Sequence, residues 1–405
     1  MPDKLTILHI STRLILGGSQ ENTVLTCEAQ ARAGHHAHLA YGPIYGPEGS
    51  LLQRVTAFRA DDSTRIAPHV VPSMVRHIAP TKDFRAKAQL SKLIAKLKPD
   101  VVHTHSSKAG VLGRAAAWGT KSRPAIVHTI HGPPFMPEDS ALAKAKNKLY
   151  TIAERAAANR CHAIISVADA MTEQFLARGI GTRDMFTTVR SGIDLVPYLE
   201  PPADQSREAI RESLGLHPQH LVIGTIARLA QHKGHDDILD ALKEDLAASP
   251  HWKLLWVGDG FWKDRLLKRA GGMGLRDRII TTGLVPPDRI PGLIRAMDIL
   301  CHPSYREGLP RTVNQALLCG VPPVAYDADG TRETCINEKT GLLVPIGDRS
   351  KLRDAIKKLA GDPHMRTRLG STGRSKITRE FSIEAMMRGI DDVYERALTA
   401  RAKTN

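Results

Sequence analysis

Arg228 and Lys233 share one short loop, Arg228-Leu-Ala-Gln-His-Lys-Gly234, between the apolar run Leu221 to Ala227 and a helical stretch opening at His235 or Asp236. A guanidinium grips a phosphate as a bidentate fork and an ammonium acts as a point charge, so the pair suits a phosphate-bearing ligand. Each charge-assisted contact to a buried anion contributes about 1.5–3 kcal/mol. Glu307 stands in a second loop of this kind, Cys301-His-Pro-Ser-Tyr-Arg-Glu-Gly-Leu-Pro310. An apolar run precedes it. The residues after it predict a helix, with Pro310 in the first turn, Val313, Ala316, Leu317 and Leu318 on the buried face, and Gly320 at the stop. The amides of Gly308 and Leu309 at that helix start are suited to an anion, which a carboxylate would repel. Glu307 therefore reads as a hydrogen-bond acceptor for hydroxyls on a neutral part of the same ligand. That combination implies a ligand carrying both phosphate and sugar.

A second group of candidates is histidine. His103, His105 and His131 fall at the carboxyl ends of two predicted strands, Asp100 to His105 and Ala125 to Ile130, where open α/β sheets hold their ligands. No Cys or carboxylate in the same stretches completes a metal set, and none is expected. A histidine that hydrogen-bonds a substrate hydroxyl or stabilises a leaving group fits better, with His131, before Gly132-Pro133, the first choice. His128, inside its strand, reads as structural.

These residues need a scaffold that brings strand ends together. Leu5 to Ile10 is a strand, Leu16-Gly17-Gly18-Ser19 a break, and Glu21 to Ala33 a helix, which is how a doubly wound α/β domain opens. The paired glycines let a backbone approach a ligand. The dinucleotide fingerprint Gly-x-Gly-x-x-Gly is absent here, and Gly258-Asp-Gly260 also lacks its third glycine. Further strands are predicted at His38 to Tyr41 and Cys161 to Val167. Thr81 to Lys98 predicts a helix with one cationic side. Pro197, Pro201 and Pro202 mark a domain boundary, and Leu221 restarts the strand–loop–helix pattern. Strands follow at Trp252 to Val257, Ile279 to Thr282, Pro322 to Tyr326 and Gly341 to Pro345, and helix from Ser350 on. The organisation expected is one domain over residues 1–197 and a second over 198–382, with a closing helix at about 383–402.

Composition narrows the partners. The 405 residues carry a net charge of +15, which favours anionic ligands or an acidic membrane surface. Aromatics make up 4% and no Lys/Arg block reaches five, which argues against nucleic acid. The 5 cysteines are dispersed, as expected for thiols in a reducing compartment. No apolar run approaches the roughly 20 residues that span a bilayer. A cytoplasmic protein is expected, with peripheral contact at the inner face of the cell membrane as an option.

Taken in order, Gly17-Gly18, Asp100-Val-Val-His-Thr-His-Ser-Ser-Lys-Ala-Gly110, His128-Thr-Ile-His-Gly132, Ser191-Gly-Ile-Asp194, Arg228 with Lys233-Gly234, Glu307-Gly-Leu-Pro310 and Gly341-Leu-Leu-Val-Pro345 resemble the family-4 retaining glycosyltransferases of bacterial polysaccharide synthesis. The resemblance covers nearly the whole chain. It implies the GT-B fold, two Rossmann-like parallel-sheet domains facing a cleft, with the closing helix packed back on the first domain. It implies that Arg228 and Lys233 hold the diphosphate of a nucleoside diphosphate sugar, UDP-linked by preference, and that Glu307 hydrogen-bonds the donor sugar. Gly308 and Leu309 would offer backbone contacts, Gly17 and Gly18 would approach the phosphate from the first domain, and His131 would contact the reacting sugar. No metal is implied. The family's second glutamate, eight positions after the first, is Gln315 here; an amide still donates to and accepts from a ribose hydroxyl, without the charge assistance. The acceptor, a saccharide or lipid-linked molecule, would meet loops at 43–80 and 132–145, with Lys108 as a contact to an anionic group. A nucleotide-sugar epimerase of the same fold and a nucleotide-sugar binder without turnover stay open as alternatives.

Overall fold

Short apolar runs become parallel strands in two separate sheets, and the residues that end those strands are the ones singled out above. In the computed structural model, residues 4–45, 49–61, 63–132, 135 and 140–404 are described. The chain divides into two units, Met1–Ile193 with Ile383–Asn405, and Asp194–Ser382. The change comes at Asp194, ahead of Pro197, because Val196–Leu199 forms a turn of helix whose buried Tyr198 packs with the Arg311–Leu318 helix of the second unit.

The first unit holds β1 (Thr6–Ser11), β2 (His36–Tyr41), β3 (Ala67–Val70), β4 (Val101–His105), β5 (Ala125–Ile130), β6 (Ala163–Ser166) and β7 (Phe186–Thr188). Their order is β3-β2-β1-β4-β5-β6-β7, all parallel. Strands buried on both faces read as continuous apolar runs, and β4 and β5 are buried at every residue. The strand order reverses between β1 and β4, the place where such sheets bind ligands. The register there sets His9 opposite His103, and on the next strand pair His105 opposite Thr129. One face is covered by the last helix, Ile383–Thr404, whose Met386, Ile390, Val393, Tyr394 and Ala397 pack with Leu5, Ile7, Val101, Val127 and Ile165.

The second unit repeats the plan with β8 (Leu221–Ile226), β9 (Trp252–Val257), β10 (Ile279–Gly283), β11 (Ile299–His302), β12 (Pro323–Tyr326) and β13 (Leu342–Val344), in the order β10-β9-β8-β11-β12-β13 and again parallel. Its reversal lies between β8 and β11. Arg228 follows the first of these strands and Glu307 the second. Asp298, just before β11, ties the two together: its carboxylate accepts from Arg207 at 2.7 Å, Arg211 at 2.8 Å and the Val222 amide at 2.8 Å.

Candidate active site

In the second unit, two loops are pressed together by a glycine. Gly234 has φ +69, and a Cβ there would stand 2.1 Å from the Pro303 carbonyl oxygen, so no side chain fits. The close approach brings Lys233 Nζ to 2.6 Å from Glu307 Oε1. The His302 ring meets the same oxygen through Nε2 at 3.1 Å, and Ser304 Oγ lies 3.4 Å from the ammonium. Lys233 and Glu307 side chains are 19% and 14% exposed, so the pair is largely out of water. Burial alone would push the Glu307 carboxyl up. The Lys233 ammonium and the bond to His302 outweigh it and hold the group well below the usual carboxylate range. Glu307 is thus an ionised acceptor at neutral pH and no proton donor.

The loop has further anchors. The Glu307 amide donates to Asp329 Oδ2 at 2.8 Å, and the Tyr305 amide to the His232 carbonyl at 2.9 Å. Asp237 accepts from the hydroxyls of Tyr305 at 2.6 Å and Tyr326 at 2.8 Å, and from Arg349 at 2.8 Å. Pro310 stands one residue outside the helix, which runs Arg311–Leu318, so the first turn begins after the proline. Gly320 has φ +75 just past its end. Among the described residues, the Gly308 and Leu309 amides have no hydrogen-bond partner. Arg228 is exposed and makes no ion pair among the described residues. Gln315 Nε2 donates to the Tyr198 hydroxyl at 2.6 Å.

In the first unit, the helix after the glycine loop starts at Gly18, three residues earlier than its apolar spacing suggests, with Gly17 as its extended N-cap. A cavity of about 340 Å³ lies at the carboxyl ends of β4 and β5, lined by Ser19, Ser106, Ser107, Thr129, His131 and Gly132 among others. Ser106 opens the Ser107–Trp118 helix at φ 64 and ψ 156, a region that costs a non-glycine residue on the order of 1–3 kcal/mol. Its hydroxyl is held by Thr12 Oγ1 at 2.8 Å. His131 is half-buried at the cavity wall. Its Nε2 is 3.0 Å from His105 Nδ1, and His105 Nε2 is 2.9 Å from His9 Nδ1. His128 lies in β5, bonded to Thr104 at 2.9 Å. Lys108 Nζ is paired with Asp83 at 2.5 Å and donates to the His77 carbonyl, so its charge is already engaged. Of the loops expected to meet an acceptor, residues 46–48, 62, 133–134 and 136–139 lie outside the described residues, and the second loop runs into a helix at Ala141–Ala158.

The structure therefore groups Arg228, Lys233, Glu307, Gly308, Leu309 and Gln315 in one unit, and Gly17, Gly18, Lys108 and His131 in the other. It adds His302, Ser304 and Asp329 around Glu307, and His9 behind His131. His302 was visible in the Cys301-His-Pro-Ser stretch, five residues before Glu307. His9 carried no signal beyond standing in a buried strand.

Comparison with known proteins bears on both halves. The profile described as Glycosyltransferase Family 4 matches residues 16–196, and that described as Glycosyl transferases group 1 matches residues 206–376. The UDP-Gal:alpha-D-GlcNAc-diphosphoundecaprenol alpha-1,3-galactosyltransferase of Escherichia coli is 28% identical over 394 residues, covering 96% of this chain and 97% of that protein. The capsular polysaccharide biosynthesis glycosyltransferase CapM of Staphylococcus aureus is 23% identical, over 80% of this chain and 84% of its own. Among solved structures, Anabaena HepE in complex with UDP and glucose superposes with a TM-score of 0.78 at 21% identity, covering 96% of this chain and 99% of that one. The sucrose-phosphate synthase of Thermosynechococcus elongatus superposes with a TM-score of 0.81 at 22% identity, covering 98% and 100%. Two doubly wound parallel-sheet domains of this kind are the GT-B fold, and the two matching profiles with the relatives make the protein a glycosyltransferase. Within that class, the chain belongs to glycosyltransferase family 4, of the bacterial polysaccharide type. Among the described residues, no helix is long and apolar enough to cross a membrane.

Proposed function

We propose that this protein is a retaining hexosyltransferase that moves a hexose from a UDP-sugar to a saccharide or lipid-linked acceptor in cell-surface polysaccharide synthesis. The observation that carries the reading is the contact of Lys233 with Glu307, which sets an ionised carboxylate beside an ammonium in the loops that follow neighbouring strands. An ammonium has three N–H donors and can hold Glu307 while offering another to a diphosphate. Arg228 supplies the second cation, and the Gly308 and Leu309 amides supply neutral donors at a helix start. Glu307 accepts from hydroxyls of the hexose. Gln315 meets the ribose as a neutral partner. The Escherichia coli relative, a galactosyltransferase from UDP-Gal to alpha-D-GlcNAc-diphosphoundecaprenol, supports the substrate classes.

On this reading the acceptor hydroxyl attacks the anomeric carbon on the face from which the diphosphate departs. The anomeric C–O bond to the diphosphate breaks, the new C–O bond forms, and the acceptor's proton passes to the leaving phosphate oxygen. Cations and helix-start amides take up the charge of the leaving group, so no metal is required. His131 contacts the reacting sugar from the first unit. Gly17 and Gly18, at the start of a 15-residue helix, offer backbone amides to the phosphate. The reaction runs in the cytoplasm, peripherally at the inner membrane face, where a lipid-linked acceptor is presented. Incubation with UDP-galactose or UDP-glucose and a GlcNAc-diphospho-lipid, followed by NMR of the product, tests it. Transfer with an α linkage, unaltered by EDTA, is expected. A β linkage would overturn the retaining mechanism, and sugar isomerised without acceptor would point to an epimerase.

A further inference from the structure

The Ala141–Ala158 helix turns its largest apolar side chains away from the protein. Its inward face is small and polar, with Asn147, Glu154, Ala157 and Ala158 buried. Leu142, Leu149 and Ile152 stand on the other side at 64%, 54% and 55% exposure. Ala145 and Ala156 are exposed as well, and these positions recur alternately three and four residues apart. At about 3.6 residues per turn that spacing draws one stripe along the helix, ~20 Å long. A surface helix ordinarily turns its leucines to the core. Here the core takes the alanines and the leucines meet solvent.

The charges on this helix select what covers the stripe. Lys144, Lys146, Lys148 and Arg155 are exposed. By helical position Lys146 borders the stripe on one side, and Lys144, Lys148 and Arg155 border it on the other. The helix's one carboxylate, Glu154, is on the buried face, 2.5 Å from Arg114. The stripe is thus rimmed by cations alone. A second copy of the same face would meet it cation to cation, which is repulsive. An anionic bilayer surface matches both parts. Its acyl region takes the leucines and the isoleucine, and its phosphates take the lysines, as for helices that lie in a membrane interface. The position also fits. Glu154 lines the cavity of about 340 Å³ that has His131 in its wall. The helix therefore separates cavity from stripe by its own width, ~10 Å. A molecule with its tail in the bilayer would bring its head to the cavity across that width.

We infer that the outer face of the Ala141–Ala158 helix docks the protein on an anionic lipid surface, with Leu142, Leu149 and Ile152 inserted among the headgroups and Lys144, Lys146 and Lys148 on lipid phosphates. The docking rests on this face alone; that it serves a lipid-linked acceptor rests on the proposed function.

Sedimentation of the full chain with lipid vesicles tests it. Phosphatidylcholine vesicles containing phosphatidylglycerol are expected to bind the protein, and vesicles of phosphatidylcholine alone to leave it in the supernatant. Lys144→Gln/Lys146→Gln/Lys148→Gln is expected to weaken binding on the order of 10²-fold. Leu149→Glu/Ile152→Glu is expected to weaken it by a similar factor. Both change exposed positions, so circular dichroism spectra and melting curves are expected to stay as in the wild type. Phe261→Glu, at a 92% exposed position in the second unit, is the control and is expected to bind like the wild type. Binding that either multiple variant keeps, or equal binding to both kinds of vesicle, overturns the inference. So does an absence of vesicle binding; a dimer in sedimentation velocity that Leu149→Glu/Ile152→Glu dissolves would then mark the face as an interface between copies. Vesicle binding that the variants lose, in a protein that transfers no sugar from any UDP-sugar, supports the docking and sinks the proposed function alone.

Discussion

The second unit holds its site together with full charges, the first with neutral rings, although both use the same strand order around the point where it reverses. Around Glu307 a carboxylate, an ammonium and the Asp237 hub with its two tyrosines and Arg349 are locked in pairs. Behind His131 the chain of bonds runs through the imidazoles of His105 and His9 to the Gln30 amide, with a buried Arg114–Glu154 pair at 2.5 Å beside the same cavity. A charged site can neutralise a leaving diphosphate, more strongly where its surroundings exclude water. A neutral chain has little pull on a phosphate yet presents a donor or an acceptor at one definite place. One set of candidate residues is thus tied by charge and the other by hydrogen bonds between buried rings.

The largest effect expected on this contrast comes from Glu307→Gln, which keeps the shape and removes the charge. It should lower kcat/KM for transfer on the order of 10²-fold or more, with the circular dichroism spectrum unchanged. Retained activity would dissolve the contrast. Arg228→Ala comes next: titration calorimetry with UDP should show binding about 10- to 100-fold weaker, corresponding to the loss of about 1.5–3 kcal/mol. Acid should separate the units more gently. Unfolded imidazoles take up protons below about pH 6.5, while the buried rings of His9, His103, His105 and His128 resist until far lower, His9 until about 4. The unfolded chain therefore binds more protons in that window, and stability is lost as pH falls from about 6.5. Glu307 works in a lower window, because its folded value is depressed below the carboxylate range. Its contribution is present above about pH 4.3 and lost only on falling through that range. Hydrogen exchange followed by mass spectrometry between about pH 7 and 5 should show protection dropping more in peptides of the first unit than in those of the second, where His235 is the comparable buried ring. The smallest effect is Tyr305→Phe. It removes one bond to Asp237 from a partly exposed ring and should cost the second unit about 1 kcal/mol, a shift of roughly 2–4 °C in its melting temperature.

How much of this could be read beforehand follows from how far apart in sequence the partners lie. Strands such as Val101–His105 and Leu221–Ile226 announce themselves, because burial on both faces makes them continuous apolar runs. Arg228, Lys233 and Glu307 were legible because each stands at a strand-to-helix junction that the local pattern marks. Ala67–Val70 and Phe186–Thr188 were missed: the first is an alternately exposed edge strand containing a proline, the second only 3 residues long. The Ala141–Ala158 helix was missed because its first two turns are mostly exposed. The histidines at the ends of β4 and β5 were seen, but the chain behind them was not. Gln30 is 21 residues from His9 and Tyr394 is 291 from His103, and no periodicity reports a contact at that range.

That distance has a consequence for how the protein is made. The first body borrows Met386, Ile390, Val393 and Tyr394 from the far end of the chain, with the whole second body spliced between. A ribosome that has delivered residues 1–193 has delivered an unfinished hydrophobic surface, which must wait some 190 residues for its cover. A premature stop within the last helix would thus leave the later-made half able to close its core and strip the earlier-made half of its own.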